Sequence, residues 1–118
     1  MRKSLLLRLL LLVLLLGACG DLTGLGGRSV DGEWSARIEG EDVWLSLRDD
    51  GQEIWGSGEW GFDKIRVDGE RFGSDVRLQF EFYDFTPIEF EGTVRGTALE
   101  GQLYGSGYRG ERVRFYRE

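Results

Sequence analysis

Few residues of this sequence have side chains suited to chemistry, and their types restrict what that chemistry can be. The chain has a single cysteine, Cys19, and no histidine. It therefore lacks the usual general base near neutral pH and the commonest metal ligand. Glu89 and Glu91 lie two residues apart, but no nucleophile elbow, phosphate-binding loop or zinc-ligand spacing accompanies them. We expect no catalysis, no cofactor and no metal, which leaves the Cys19 thiol as the candidate reactive group.

The residues before Cys19 have the organisation of a secretory signal peptide. A basic start at residues 1–3 is followed by an apolar run from Leu5 to Leu16 that only Arg8 interrupts. A basic segment, an apolar segment and small residues before a cleavage site define such a signal. The run is shorter than the about 20 residues that a membrane-spanning helix needs. We predict a helical signal peptide at residues 1–18.

The sequence Leu16-Gly17-Ala18-Cys19 resembles the lipobox of bacterial lipoproteins. The resemblance implies cleavage between Ala18 and Cys19 and attachment of diacylglycerol to the Cys19 thiol. Acyl chains anchor a protein firmly because each buried methylene contributes about 0.8 kcal/mol. The chain would then be a lipoprotein of the bacterial cell envelope that faces the periplasm from the inner or the outer membrane. The alternatives are an uncleaved signal anchor and an ordinary signal peptide that leaves a free thiol.

The chain beyond the signal peptide is strongly acidic and has the length of one domain. The first 18 residues include three basic and no acidic residues, so residues 19–118 carry 12 basic and 21 acidic residues, a formal charge of −9. Nucleic acid is not an expected partner, because phosphates require a basic surface. A cationic partner would be attracted. A single cysteine also allows no disulfide within the chain.

Two segments follow the signal peptide. Residues 19–30, which begin with the lipidated cysteine, are rich in glycine and predict a flexible tether. From residue 31 to residue 118 apolar and polar residues alternate, which is typical of strands with one buried face. Short sequential hairpins of this kind favour a meander that closes on itself, because closure removes the sheet edges. We predict an all-β fold, a single small antiparallel up-and-down β-barrel of about eight strands.

The alternation also predicts what fills the barrel. We expect a packed interior with at most a small cavity at one mouth, because most inward positions are large. The residues predicted to point inward are Trp34, Ile38, Leu45, Leu47, Ile54, Trp60, Ile65, Leu78, Phe80, Phe82, Ile88, Phe90 and Phe115.

Turn sequences predict the register of three hairpins. The turns are Gly40-Glu41, Asp50-Gly51, which fits type I′, and Gly96-Thr97. Asp68-Gly69 fits either a turn or a bulge within one strand. The three turns would pair Ile38 with Val43, Arg37 with Trp44, Arg48 with Glu53, Leu47 with Ile54, and Val94 with Leu99.

The first predicted strand carries a family resemblance. Asp31-Gly32-Glu33-Trp34 resembles the Gly-x-Trp signature of lipocalins and related avidin-like barrels. The resemblance implies that Trp34 plugs the closed end beneath an arginine of the last strand, for which Arg112 and Arg114 are the candidates. The chain is shorter than a lipocalin and lacks the terminal helix of that family.

A second and closer resemblance covers nearly the whole of residues 19–118. The order of the Gly-x-Trp signature, the Asp-Gly hairpin and several glycine motifs is similar to that of small uncharacterised bacterial β-rich lipoproteins. It implies the fold and the envelope location, and no activity. The glycine motifs are Trp55-Gly56-Ser57-Gly58, Phe90-Glu91-Gly92-Thr93-Val94-Arg95-Gly96, Leu99-Glu100-Gly101 and Gly105-Ser106-Gly107.

Exposed aromatic residues are the candidates for contact with a partner. On the outer face, Arg37, Trp44 and Trp55 would form one contact patch, since exposed aromatics beside arginine are typical of binding hot spots. Their alternative role is to stabilise the sheet surface. A second set would form another contact patch or rim the barrel mouth, with the connector 83–87 as a candidate lid. This set consists of the rim candidates Tyr83, Phe85, Tyr104 and Tyr108, together with Tyr116.

These features together predict a lipid-anchored binding or interaction module, not an enzyme. One alternative is an inhibitor of a cationic envelope-directed hydrolase such as lysozyme. Small lipoprotein barrels that block lysozymes form a known family, but the disulfide of that family is missing here. The other alternative is a carrier of a small apolar ligand in the barrel mouth. The partner, the choice of membrane, the oligomeric state and the presence of a cavity stay open at this point.

Overall fold

The computed structural model describes residues 29–118, which form eight β-strands. The predicted signal peptide, the cleavage site at Ala18 and Cys19, and the tether up to residue 28 lie outside the described residues. Residues 29–118 contain no helix of the length and apolarity needed to cross a bilayer. The strands are β1 (Gly32–Ile38), β2 (Glu41–Asp49), β3 (Glu53–Trp60), β4 (Asp63–Phe72), β5 (Asp75–Phe82), β6 (Ile88–Arg95), β7 (Ala98–Gly105) and β8 (Tyr108–Arg117).

The strands form a closed antiparallel barrel. Each strand pairs with the next one along the chain, and β8 pairs with β1 to close the sheet. This confirms the predicted all-β, up-and-down barrel of about eight strands. Closure satisfies the backbone groups of strands that would otherwise be exposed edges.

The interior is filled by the apolar residues of the alternating pattern. Leu45, Phe80 and Phe90, from three different strands, are fully buried in one core. The predicted inward set is buried there as well, except that Phe82 is only partly buried against the core. Each fully buried large side chain contributes about 1.5–3 kcal/mol. Val30, which we assigned to the tether, is also fully buried, so the folded domain begins before residue 31.

Glycines make room for the large rings of the core. Gly92 and Gly101 face each other across β6 and β7. A Cβ atom at Gly92 would lie 2.6 Å from Cζ of Phe90, and one at Gly101 would lie 2.7 Å from it. The Phe90 ring therefore occupies the space that side chains at these two positions would take.

One of the three predicted hairpin registers is confirmed and two are wrong by two residues. Val94 pairs with Leu99 as predicted for β6 and β7. Between β1 and β2, the turn is Glu39-Gly40, where both residues have positive φ angles of 50° and 82°. Arg37 consequently pairs with Asp42 instead of Trp44. A shift of two leaves every side chain on its predicted face, so the core prediction was unaffected.

The β2–β3 connection is wider than a two-residue turn because carboxylates cap it. Oδ1 of Asp50 accepts hydrogen bonds from the backbone N–H groups of Gln52 at 3.0 Å and Glu53 at 2.8 Å. Oδ1 of Asp49 accepts one from the N–H of Gly51 at 2.8 Å. Local carboxylate bonds of this type compete with the ladder for backbone donors. Arg48 therefore pairs with Trp55 instead of Glu53, and Leu47 with Gly56 instead of Ile54.

Asp68-Gly69 forms neither the turn nor the bulge that were predicted as alternatives. It lies inside β4, where Gly69 pairs with Ile54 on one side and Leu78 on the other without a register shift. An irregularity occurs instead between β7 and β8, at Leu103 and Tyr104.

Candidate functional site

The two ends of the barrel differ in structure. We call the end where Ser29 enters the sealed pole; it includes the loops 50–52, 73–74 and 96–97 and the C-terminal residue Glu118. We call the other end the loop pole; it consists of the turns 39–40, 61–62 and 106–107 and the connector 83–87.

An aromatic ring and an arginine close the sealed pole. Nε1 of Trp34 donates a hydrogen bond to the carbonyl of Val30 at 2.9 Å. The Arg117 guanidinium lies 4.3 Å from the centre of the Trp34 ring and donates to the carbonyl oxygens of Ser29 and Asp31. Cation–π contact and hydrogen bonding together fix the entry of the chain against the barrel.

The arginine over Trp34 is not one of the two candidates from the sequence. Arg117 pairs directly with Trp34 where β8 meets β1. Arg112 and Arg114 lie further from the sealed pole on the outer wall of β8, and Arg114 forms an ion pair with Glu100 at 2.6 Å. The prediction that Arg112 or Arg114 covers Trp34 is therefore wrong. The pairing of β1 with β8 decides which arginine lies over the ring, and it places Arg117 there.

An ion pair that the sequence analysis missed lies beside this plug. Nε of Arg71 donates to Oδ2 of Asp49 at 2.7 Å, and the Asp49 side chain is fully buried. The same carboxylate accepts the N–H of Val30 at 2.9 Å. Burial raises the pKa of Asp49, but the hydrogen bonds from Arg71, Val30 and Gly51 and the charge of Arg71 outweigh it and lower the pKa. In β2 and β4 the alternation of inward and outward side chains continues to Asp49 and Arg71. This alternation was the sequence signal that both side chains point inward.

Aromatic rings form a connected row across the loop pole. The ring of Trp60 lies 5.5 Å from that of Phe82 and 6.4 Å from that of Tyr108, and Phe82 lies 5.9 Å from Phe85. These spacings are those of favourable aromatic pairs. The row leads from the nearly buried Trp60 to the exposed connector 83–87.

No family model, curated protein or solved structure matches this chain. The assignment of a functional site therefore rests on the geometry of residues 29–118.

The structure places the four predicted rim residues at or near the loop pole, whereas Tyr116 is exposed on the outer wall near the sealed pole, where it pairs with Ser35 and Ala98. Tyr83 and Phe85 lie in the connector 83–87, and Tyr108 begins β8. Tyr104 lies on the outer wall beside that pole, where its hydroxyl donates to Oε1 of Gln102 at 3.0 Å. Phe62, in the turn 61–62, is fully exposed and was missed by the sequence analysis; the available signal was a large apolar residue directly after a turn glycine.

The loop pole has an excess of acidic residues. Its turns, its connector and the strand residues beside them span residues 38–41, 60–63, 82–88 and 105–108 and include the carboxylates of Glu39, Glu41, Asp63 and Asp84. The nearest basic residues are Arg37, Lys64 and Arg109, each one residue outside these ranges; Arg37 forms an ion pair with Asp42 and Lys64 with Glu59. In the described part of the chain, no three acidic side chains are arranged to hold a metal ion.

Tyr108 lies within this acidic environment. Its hydroxyl donates to Oε1 of Glu39 at 3.1 Å. Burial, the bond to Glu39 and the negative charges of Glu39, Glu41 and Glu111 raise the pKa of Tyr108 to about 12. The phenol is therefore neutral at physiological pH and acts as a hydrogen-bond donor.

The structure does not bring Arg37, Trp44 and Trp55 into one patch. Arg37 forms an exposed ion pair with Asp42 at 2.8 Å. Trp44 pairs across the strands with Ser35 and Glu59, whereas Trp55 pairs with Arg48 and Asp68. Since Glu59 and Trp55 lie four residues apart on β3, the backbone positions of Trp44 and Trp55 are offset by about 13 Å along the strands. The predicted adjacency is wrong because both hairpins are displaced by two residues.

The barrel wall has a seam where its first and last strands meet. β1 and β8 pair at only two positions, Trp34 with Arg117 and Ser35 with Tyr116. Beyond these pairs the strands separate and leave a cleft of about 480 Å³ toward the loop pole. The cleft lies in the wall, outside the packed core, and Tyr108 and Val113 are among its lining residues.

Proposed function

We propose that this protein is a lipid-anchored binding module of the bacterial cell envelope that faces the periplasm and is not a catalyst. The observation that carries the proposal is the placement of the chain entry and the exposed aromatic residues at opposite poles. The chain reaches the barrel at Ser29, in the sealed pole, whereas Phe62, Tyr83 and Phe85 belong to the loop pole. A lipid on Cys19 would hold the sealed pole within at most about 30 Å of the bilayer. The loop pole would then be free to meet a partner.

The packed interior supports binding on the surface of the barrel. In the core, the ring centre of Phe115 lies 6.2 Å from that of Phe80 and 5.8 Å from that of Phe90. None of the three side chains is exposed. A carrier would require an internal cavity for its ligand. The carrier hypothesis therefore receives no support from these residues.

The test of the anchor is the incorporation of a radiolabelled fatty acid into the full chain expressed in a bacterium. We expect the wild-type chain to be labelled, recovered with membranes and shortened to begin at Cys19. The Cys19→Ser variant should carry no label, because the thiol is the acceptor. Cys19→Ser combined with Ser29→Cys is the matched control. It keeps one thiol ten residues away and should also remain unlabelled.

Two outcomes would contradict the anchor. Label in the Cys19→Ser variant would show a different acceptor, and an unlabelled wild-type chain recovered in the soluble fraction would remove the membrane from the proposal.

An inhibitor of a cationic hydrolase such as lysozyme is the second candidate function. The excess of carboxylates at the loop pole favours it, because opposite charge speeds and strengthens encounter with a basic enzyme. Its test is a lysozyme pull-down at low and high salt combined with an assay of cell-wall lysis. Salt-sensitive capture with loss of lysis supports the inhibitor, whereas capture without loss of lysis contradicts it.

A further inference from the structure

We infer that the loop pole is the docking face for a cationic polypeptide that presents apolar side chains next to its basic ones. The inference rests on the proposed function, since it names the partner chemistry of that binding module. It combines two independent properties of the same surface, exposed aromatic rings and an excess of negative charge.

The aromatic platform consists of the exposed rings of Phe62, Tyr83 and Phe85, and Phe85 is held from below. Phe62 is fully exposed, and Tyr83 and Phe85 are 96% and 59% exposed. Phe85 packs edge-on against Phe82, and Phe82 packs against Trp60, which is only 5% exposed. Phe85 is thus tied to the core through two ring contacts. Large aromatic side chains held in this way are the usual anchors of protein interfaces, because little conformational entropy is lost when a partner covers them.

The negative charge of the loop pole favours a positively charged partner. Four carboxylates lie in or beside its turns and connector, whereas two of the three nearest basic residues, Arg37 and Lys64, are already in ion pairs with Asp42 and Glu59. Burial and the hydrogen bond to Glu39 contribute most to the raised pKa of Tyr108, and the negative charges of nearby glutamates add to it. An anionic membrane surface would be repelled by this excess of negative charge, and a basic segment would be attracted. A cationic polypeptide therefore fits both properties, whereas a bilayer fits only the aromatic one.

The remainder of the surface formed by residues 29–118 does not combine these properties, although Trp44 and Trp55 are exposed on the barrel wall. The barrel wall mixes charges of both signs in ion pairs, such as Arg66 with Glu81 at 3.1 Å and Arg114 with Glu100 at 2.6 Å. The sealed pole has an exposed phenylalanine, Phe72, but it also contains Arg117. Phe72 is therefore a suitable control position.

The test measures binding of two synthetic peptides to the full chain, purified from bacterial membranes and placed in nanodiscs of phosphatidylcholine. One peptide is an amphipathic helix of lysine and leucine, and the other has the same number of lysines with serine in place of leucine. We expect the lysine–leucine peptide to bind at least about tenfold more tightly than the lysine–serine peptide. Its affinity should fall by a similar factor when salt is raised to about 0.5 M, because exposed charges are then screened.

Variants locate the binding face. The double change Phe62→Ser and Phe85→Ser should weaken binding of the lysine–leucine peptide at least about tenfold, since interface aromatics carry much of the affinity. Phe72→Ser, which removes an exposed ring at the sealed pole, should change it less than about twofold. Asp63→Asn with Asp84→Asn should reduce the salt dependence, whereas the charge-matched control Glu53→Gln with Asp75→Asn near the sealed pole should not.

The outcomes separate this inference from the proposed function. If the chain is recovered with membranes but neither peptide binds, or if Phe72→Ser weakens binding as much as the loop-pole variant, the inference is overturned and the anchored module stands. If the chain is not recovered with membranes, the proposed function fails.

A fluorophore attached through Phe62→Cys tests the bilayer as the partner. A response to anionic vesicles without a response to the peptide would also overturn the inference.

Discussion

At the scale of single residues, the buried pair of Asp49 and Arg71 shows the limit of reasoning from alternation. Strict alternation places both residues inward, but charged residues are rarely buried without a partner. The two strands that carry them, β2 and β4, are not neighbours in the sheet, because β3 lies between them. Only the curvature of the closed barrel brings the guanidinium within 2.7 Å of the carboxylate.

We predict that Asp49→Asn lowers the free energy of unfolding by about 3 kcal/mol, because it leaves the nearly buried Arg71 without a counter-charge. Urea denaturation followed by tryptophan fluorescence measures the change. Asp50→Asn is the control; it keeps an oxygen that can accept the N–H groups of Gln52 and Glu53 and should cost less than about 1 kcal/mol. Equal losses in the two variants would contradict a special role for the buried pair.

The same substitution also predicts a pH dependence. The pKa of Asp49 is lower in the folded chain than its ordinary value of 3.8, so its contribution to stability is complete above that value. The contribution is lost as the pH falls below about 4, through the lowered folded pKa. The wild-type chain should therefore lose more stability in this range than Asp49→Asn does. The stability of Asp49→Asn should still fall at acid pH, but by less. The reason is that the pKa of Asp50 is also lowered, by the backbone N–H groups of Gln52 and Glu53.

At the scale of strands and hairpins, the sequence predicted the face of each side chain more reliably than its cross-strand partner. The β6–β7 pairing was correct, and Gly96 in its turn has a positive φ of 57°. The β1–β2 and β2–β3 pairings were wrong by two residues. The β1–β2 turn begins at Glu39, which adopts a positive φ of 50° that glycine would adopt more easily, so composition favoured the turn one residue later. In the β2–β3 loop, Asp49 and Asp50 bond backbone N–H groups two or three residues ahead and widen a loop whose Asp-Gly sequence also fits a two-residue turn.

Glycine at position 92 offers a test of core packing at this scale. We predict that Gly92→Ala lowers the free energy of unfolding by about 1–3 kcal/mol, because the new Cβ would lie 2.1 Å from the carbonyl oxygen of Glu100 and 2.6 Å from Cζ of Phe90. Thr93→Ala, one residue away on the outer face, should change it by less than about 0.5 kcal/mol. Thermal unfolding of both variants provides the measurement. Full stability of Gly92→Ala would contradict the close approach of β6 and β7.

At the scale of the whole molecule, the barrel is held closed by its shortest strand pairing. β1 and β8 share two paired positions near the sealed pole, supported by the hydrogen bond from the N–H of Glu118 to the carbonyl of Glu33 at 2.8 Å. Near the loop pole, the bond between Tyr108 and Glu39 connects the separated strands. Local opening should begin where backbone pairing is thinnest.

We predict that hydrogen exchange is faster in residues 36–38 and 108–114 than in the fully paired strands β3 and β4. Mass spectrometry of deuterated peptides measures this difference. Tyr108→Phe removes the hydroxyl that bonds Glu39 and should raise exchange at the seam about threefold, because one hydrogen bond is worth about 0.5–1.5 kcal/mol. Exchange in β3 and β4 is the internal control. Uniform protection around the barrel, or an equal effect of Tyr108→Phe on all strands, would contradict a weak seam.

The sequence by itself determined the all-β class and the inward face of the strands. The reason is that the alternation of apolar and polar residues is a local property, which can be read from about eight residues within a strand. The sequence also located Tyr83, Phe85 and Tyr108 near chain connections. The predicted up-and-down order also implied that alternate connections meet at one pole. Only the tertiary structure decided which aromatic rings contact one another there. It also decided that Arg117 lies over Trp34 and that Asp49 reaches Arg71. These contacts depend on strand tilt and closure, which are set by the whole sheet and not by any one segment.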